Sequence, residues 1–195
     1  MAKITSCVSI YKSHQAAVQG LMKLQARNFD LCQVSLVGKG YHTEEHPIGF
    51  YNAGDGIHFL GLQAAFWDSM CDRLAGAEFF WVPGFGTLVA AGPIVTRLVK
   101  GPGGVALGDG FGVLGAALYS IGIPRKSITR YEKVIRAEKF LLIVYGDRCD
   151  VERACEILHC QEQQVAVHIA RPAVFNQSDH NHQAFISKTH GKQSV

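Results

Sequence analysis

Phe140-Leu141-Leu142-Ile143-Val144-Tyr145-Gly146-Asp147 is a continuous apolar run closed by turn residues. Six large apolar residues without alternation suit a central strand covered on both faces, and Gly146-Asp147 supplies the turn that ends it. Downstream, Val151, Ala154, Cys155 and Leu158 recur at i, i+3, i+4 and i+7, the spacing that lines one face of a helix. Val165, Val167 and Ile169 then alternate in a further strand. The segment is therefore a β-α-β unit.

Working back to the start of the chain, Ile4, Ser6, Val8 and Ile10 alternate with Thr5, Cys7, Ser9 and Tyr11, the two-residue period of a first strand. Ser13 can cap a helix from His14 to about Asn28, in which Ala17, Val18, Leu21 and Leu24 form the buried stripe. A short strand follows over Gln33 to Val37, ended by Gly38-Lys39-Gly40. Two β-α-β units, weak copies of one another, predict an α+β fold of the ferredoxin-like kind: one four-stranded antiparallel sheet with helices on one face. An edge-to-edge dimer through such a sheet is a natural extension. Between the units, Pro124 opens a helix through Lys139 whose apolar stripe is Ile128, Tyr131 and Ile135. Its other face carries Arg125, Lys126, Arg130, Lys133, Arg136 and Lys139.

With 195 residues and 48% hydrophobic content, the chain has room for one domain and an embellishment. The expected division is a domain over residues 1–170, interrupted by an apolar glycine-rich insertion at 57–123, with a flexible polar tail at 171–195. The net charge of +3 is small and its cations are interspersed with acids, which argues against nucleic acid as a partner. The six cysteines include no C-x-x-C pair and read as reduced thiols. The N-terminus lacks the apolar stretch of a secretion signal, so the α/β domain is expected in the cytoplasm.

The insertion decides how the protein associates. From Phe79 to Thr96 no residue is charged, and about eighteen residues of helix would span about 27 Å, close to a bilayer's hydrocarbon core. A second apolar stretch from Pro102 to Ile123 is broken only by Asp109, and Arg97 and Lys100 lie between the two. This pattern predicts a helical hairpin. In its second arm Gly104, Gly108, Gly112, Ala116 and Ser120 recur every fourth residue, a strip of small side chains along which backbones can approach closely. Pro83, Pro93 and Asp109 oppose a plain bilayer span. Two settings stay open for the hairpin: a membrane, which would bring the cytoplasmic domain to the inner membrane, or the core of a homo-oligomer. The basic helix would meet anionic headgroups in the first setting, or form a solvated face in either.

Candidate chemistry is sparse. His42-Thr43-Glu44-Glu45-His46 fits the H-x-x-E-H spacing that gives a zinc peptidase two histidine ligands and a general base. Pro47 follows at once, however, and no downstream helix offers a further carboxylate. His42, Glu45 and His46 stand as a weak divalent-metal site, with a solvated loop as the plainer reading. Gly54-Asp55-Gly56 before His58 reads as a tight turn rather than a phosphate cradle. Tail residues His180, His182 and His190 suggest adventitious metal capture, and the spacing of Cys149, Cys155 and Cys160 puts no three on one helix face.

Val37-Gly38-Lys39-Gly40-Tyr41-His42-Thr43-Glu44-Glu45-His46, Val89-Ala90-Ala91-Gly92-Pro93 and above all Gly115-Ala116-Ala117-Leu118-Tyr119-Ser120-Ile121-Gly122-Ile123-Pro124 resemble a bacterial family of general stress proteins. These heat-induced stress protein-like chains are often described as membrane proteins of unknown function. The likeness runs from about Ile4 to Ile169. It implies an α/β domain with a glycine-rich hydrophobic insertion and a link to stress, and it supplies no catalytic residues. The chain differs in placing Asp68, Asp72 and Arg73 before the apolar run, which weighs against a full transmembrane assignment. The resulting expectation is a non-enzymatic, self-associating protein that needs no cofactor. Two alternatives are a carrier enclosing an apolar ligand or metal, with His42 and His46 at the rim of an oligomeric cavity, and a metal-dependent hydrolase using His42, Glu45 and His46.

Overall fold

Every residue of the first strand is buried, which the alternation of Ile4–Tyr11 alone would not require. In the computed structural model, which describes residues 4–39, 49–53, 56–60, 64–74, 76–82, 86–100, 112–159 and 165–169, this strand lies inside a sheet covered on both sides. The sheet has six strands in the order β5-β6-β2-β7-β1-β8, every neighbouring pair antiparallel. They are β1 (Thr5–Tyr11), β2 (Val34–Lys39), β5 (Ala77–Val82), β6 (Gly86–Ala91), β7 (Phe140–Gly146) and β8 (Val165–Ile169). A separate hairpin pairs β3 (Gly49–Ala53) with β4 (Gly56–Leu60).

The expected units are visible in this order. Helix α1 (His14–Ala26) joins β1 to β2, and α6 (Arg148–Leu158) joins β7 to β8. The Ser13 hydroxyl accepts a hydrogen bond from the Ala16 amide at 3.2 Å, the cap that starts α1. With β6 and β5 added beyond β2, however, the whole sheet is not the four-stranded one expected.

Helices on one face only is likewise corrected. One layer comprises α1, α6 and α2 (Ala64–Arg73), packed over Cys7, Tyr11, Phe140, Leu142 and Val144. The opposite layer comprises α3 (Ile94–Lys100), α4 (Val113–Ser120) and α5 (Arg125–Arg136), packed over Val8, Ile10, Leu141 and Ile143. The unbroken apolar run of β7 follows from this, because both sets of its alternating side chains leave water. At about 25 cal/mol per Å² of apolar surface, burying both faces of a central strand is where a sheet of this kind gains most.

The first arm of the expected helical hairpin, Phe79 to Thr96, is also corrected, while residues 101–111 of the second arm lie outside the described residues. Ala77–Val82 and Gly86–Ala91 form the β5 and β6 strands, which extend the sheet beyond β2. Phe79, Phe80, Trp81 and Val82, then Leu88 and Val89, are residue types that favour a pleated surface, and Pro83 and Pro93 cannot continue a helix. Gly86 and Gly92 take φ of +95° and +86°, the left-handed region that glycine adopts without steric cost. The lack of charge in β6 has a local cause: Leu88, Val89, Ala90 and Ala91 are fully buried, alternating between the two layers. Buried Ser35 of β2 then accepts a hydrogen bond from the Ile94 amide at 3.1 Å, fixing the first turn of α3 to the sheet.

Candidate functional site: an edge strand tied to a basic helix

Strand β8 sits at one end of the sheet, paired with β1 on one side and with no strand on the other among the described residues. Its alternation divides it sharply. Val167 and Ile169 are 42% and 51% exposed, whereas His168 points to the opposite face, toward α5.

Register places His168 opposite Ser6 of β1, and Ser6 opposite Tyr145 of β7, so the three form a row across the sheet beneath α3 and α5. Tyr131, from the buried stripe of α5, completes the cluster. Its Oη lies 2.5 Å from Nε2 of His168, with the rings edge to face at a centroid distance of 5.6 Å. Burial pushes the Tyr131 phenol up to about 12 and, aided by Arg130 and Lys126, pushes the His168 imidazole below its ordinary value. Both groups are therefore neutral at pH 7, and the imidazole tautomer sets which of Oη and Nε2 donates. Burial also raises the Tyr145 phenol, while Arg97 of α3 acts in the opposite direction.

A serine beside a histidine invites a nucleophilic reading. Ser6 is fully buried and its Oγ is sealed from solvent without a hydrogen-bond partner, so no substrate reaches it. What the row can do is fasten the outer strand to the helix above it.

The outer face of α5 is the second feature. With Ile128, Tyr131 and Ile135 turned inward, Arg125, Lys126, Thr129, Arg130, Lys133 and Arg136 are left exposed. An open groove of about 540 Å³ runs along this face, walled by Lys126, Thr129, Arg130, Lys133 and Lys139 and floored by Val134 and Ala137. At the corner between α4 and α5, Tyr119 is 41% exposed, and the Arg125 guanidinium lies 5.6 Å over its ring.

The residues singled out in the sequence are placed as follows. Gly104 and Gly108 lie outside the described residues. Gly112 is the exposed residue preceding α4, with open space where a side chain would extend. Ala116 is 8% exposed, and its neighbours Leu114, Ala117 and Leu118 pack within the chain's own core. Half-buried Ser120 turns its hydroxyl back to donate to the Ala117 carbonyl at 2.7 Å. His42, Glu45 and His46 lie outside the described residues, as do the tail histidines. Among the described residues no three of His, Cys, Asp and Glu could hold a metal. Cys32 and Cys149 are exposed thiols, while Cys7 and Cys155 are buried in the α1/α6 layer, where desolvation raises both thiol pKa values. No helix among the described residues is long and apolar enough to cross a membrane.

His168, Ser6 and Tyr145 were not among the sequence candidates. The available signal was a polar residue at the inward position of each strand's alternation, opposite a tyrosine in a helix's buried stripe.

The fold defines a mixed α/β protein: an antiparallel sheet between two helical layers, with β8 at one edge. In comparison with known proteins, the chain matches no protein-family model, no curated protein and no solved structure.

Proposed function

We propose that the chain is a non-enzymatic, self-associating protein whose copies join edge to edge through β8. The observation that carries this is the exposure of Val167 and Ile169 on an outer strand. Edge strands are a liability that proteins blunt with charges, prolines or bulges, and the exposed side chains of β8 are instead apolar and β-branched. Pairing with a second β8 would satisfy the backbone groups on the side where no described strand pairs with it, and bury both side chains. Antiparallel pairing of identical strands is isologous, so it closes at a dimer.

In the same reading, β1, β2, β7 and β8 with α1 and α6 form a ferredoxin-like unit, supported by the sub-order β2-β7-β1-β8, to which the β5-β6 hairpin is appended. A stress-related role rests on the likeness of Gly115 to Pro124 to general stress proteins. The glycine strip enters as a separate contact, for which exposed Gly112 offers a partner backbone room.

The test is mass by light scattering on the full chain and on the double variant Val167→Lys, Ile169→Lys. Both positions are exposed, so the substitutions leave the core intact. The wild type is expected at twice the mass of one chain and the variant at the mass of one. Equal masses for the two proteins would refute the edge contact.

A further inference from the structure

The basic face of α5 has a use that self-association does not require. Residues 125–139 carry six of the chain's 19 lysines and arginines and only two of its 16 acids, Glu132 and Glu138. Elsewhere the chain has 13 cations against 14 acids, so its net positive charge is gathered on this one segment. The two acids are half-buried, while Lys126, Arg130 and Lys133 stand exposed along the groove.

We infer that this face docks on an anionic phospholipid bilayer, with the cations of α5 at the headgroups and Tyr119 at the interface. Three observations select that occupant. The groove floor of Val134 and Ala137 is apolar beneath its ring of cations, which suits an amphiphilic surface better than a free anion. Tyr119 presents an apolar ring and a polar tip beside the start of α5, the character of side chains that settle at a membrane interface. The groove contains no aromatic side chain on which a base could stack, since Tyr131 is turned into the core, and this disfavours nucleic acid. A second copy is disfavoured too, because the rest of the chain has an acidic excess of only one, 14 acids against 13 cations, to meet α5. Each lysine near an anionic surface contributes about a fivefold gain in binding, and the attraction is screened by salt.

Sedimentation of the full chain with phosphatidylcholine vesicles, with and without phosphatidylglycerol, tests this. Binding is expected only when phosphatidylglycerol is present, and it should weaken with added salt. Lys126→Ala and Lys133→Ala should each reduce it about fivefold. Tyr119→Ala should reduce vesicle binding and leave binding to soluble polyphosphate unchanged. Equal binding to both vesicle types, no binding to either, or vesicle binding that ignores Tyr119→Ala while tracking polyphosphate affinity would overturn the proposal. The monomer-forming β8 variant should still sediment with the anionic vesicles, which separates this result from the outcome of the edge test.

Discussion

Tyr131 of α5 and His168 of β8 meet through Oη and Nε2 at 2.5 Å, so an outer strand of the sheet is held to the helix on which the chain's net positive charge is concentrated. The contact joins residues 37 apart in sequence and closes one end of the α3/α4/α5 layer. Tyr131 is nearly fully buried, so its hydroxyl has little access to water as a substitute partner.

Removing that hydroxyl should therefore be felt. Tyr131→Phe keeps the ring and its packing but leaves His168 Nε2 without its partner, at a cost of about 0.5 to 1.5 kcal/mol. Urea unfolding followed by circular dichroism measures this as a lowered midpoint at unchanged slope. An unchanged midpoint would mean that the bond contributes nothing.

Acid should loosen the same contact. The folded-state pKa of His168 is depressed by burial and then by Arg130 and Lys126. Between the folded pKa and the ordinary value of 6.5 the unfolded chain binds more protons than the folded one, so stability rises with pH across that window. The contribution is present above 6.5 and is lost as pH falls toward the folded value. His168→Phe should remove this part of the slope while leaving the carboxylate-driven loss at lower pH. Unfolding midpoints recorded in steps from pH 7.5 to about 5 check the sign.

The junction between β6 and α3 makes a separate demand on the backbone. Gly92 has φ of +86°, and a side chain there would fall against the Val34 carbonyl oxygen of β2. Gly92→Ala should cost about 1 to 3 kcal/mol for the backbone conformation alone, with the clash adding to it. Gly112→Ala, where φ is −68° and the space is open, should cost less, limited to the poorer helix cap that alanine makes. Thermal unfolding of the two variants ranks them, and the reverse order would contradict this placement of the β5-β6 hairpin.

Much of the fold was legible because periodicity reports burial. The stripe Ile128, Tyr131, Ile135 and the set Val151, Ala154, Cys155, Leu158 are the buried residues of α5 and α6, and Ser13 caps α1 as its position suggested. Residues 79–91 misled because a strand covered on both faces and an apolar helix show the same absence of polar residues, and only the prolines and the β-branched and aromatic content separate them. The second helical layer was hidden for the same reason: Leu114, Ala117 and Leu118 stand in an apolar stretch whose pattern does not show that the sheet and α5 bury them. The Tyr131 and His168 pair depended on register between distant strands, which no local pattern encodes. Exposure of Val167 and Ile169 was equally unreadable, since the alternation of a strand does not say whether the layer beside it reaches far enough to cover its edge.

Amide hydrogen exchange across residues 165–169, recorded at a series of protein concentrations, tests β8 self-association most directly. If copies join through this strand, its amides become more protected as concentration rises, with the same midpoint as the change in mass, and Val167→Lys with Ile169→Lys abolishes that dependence. Exchange in β8 that stays constant while the mass doubles would place the contact elsewhere and contradict the account.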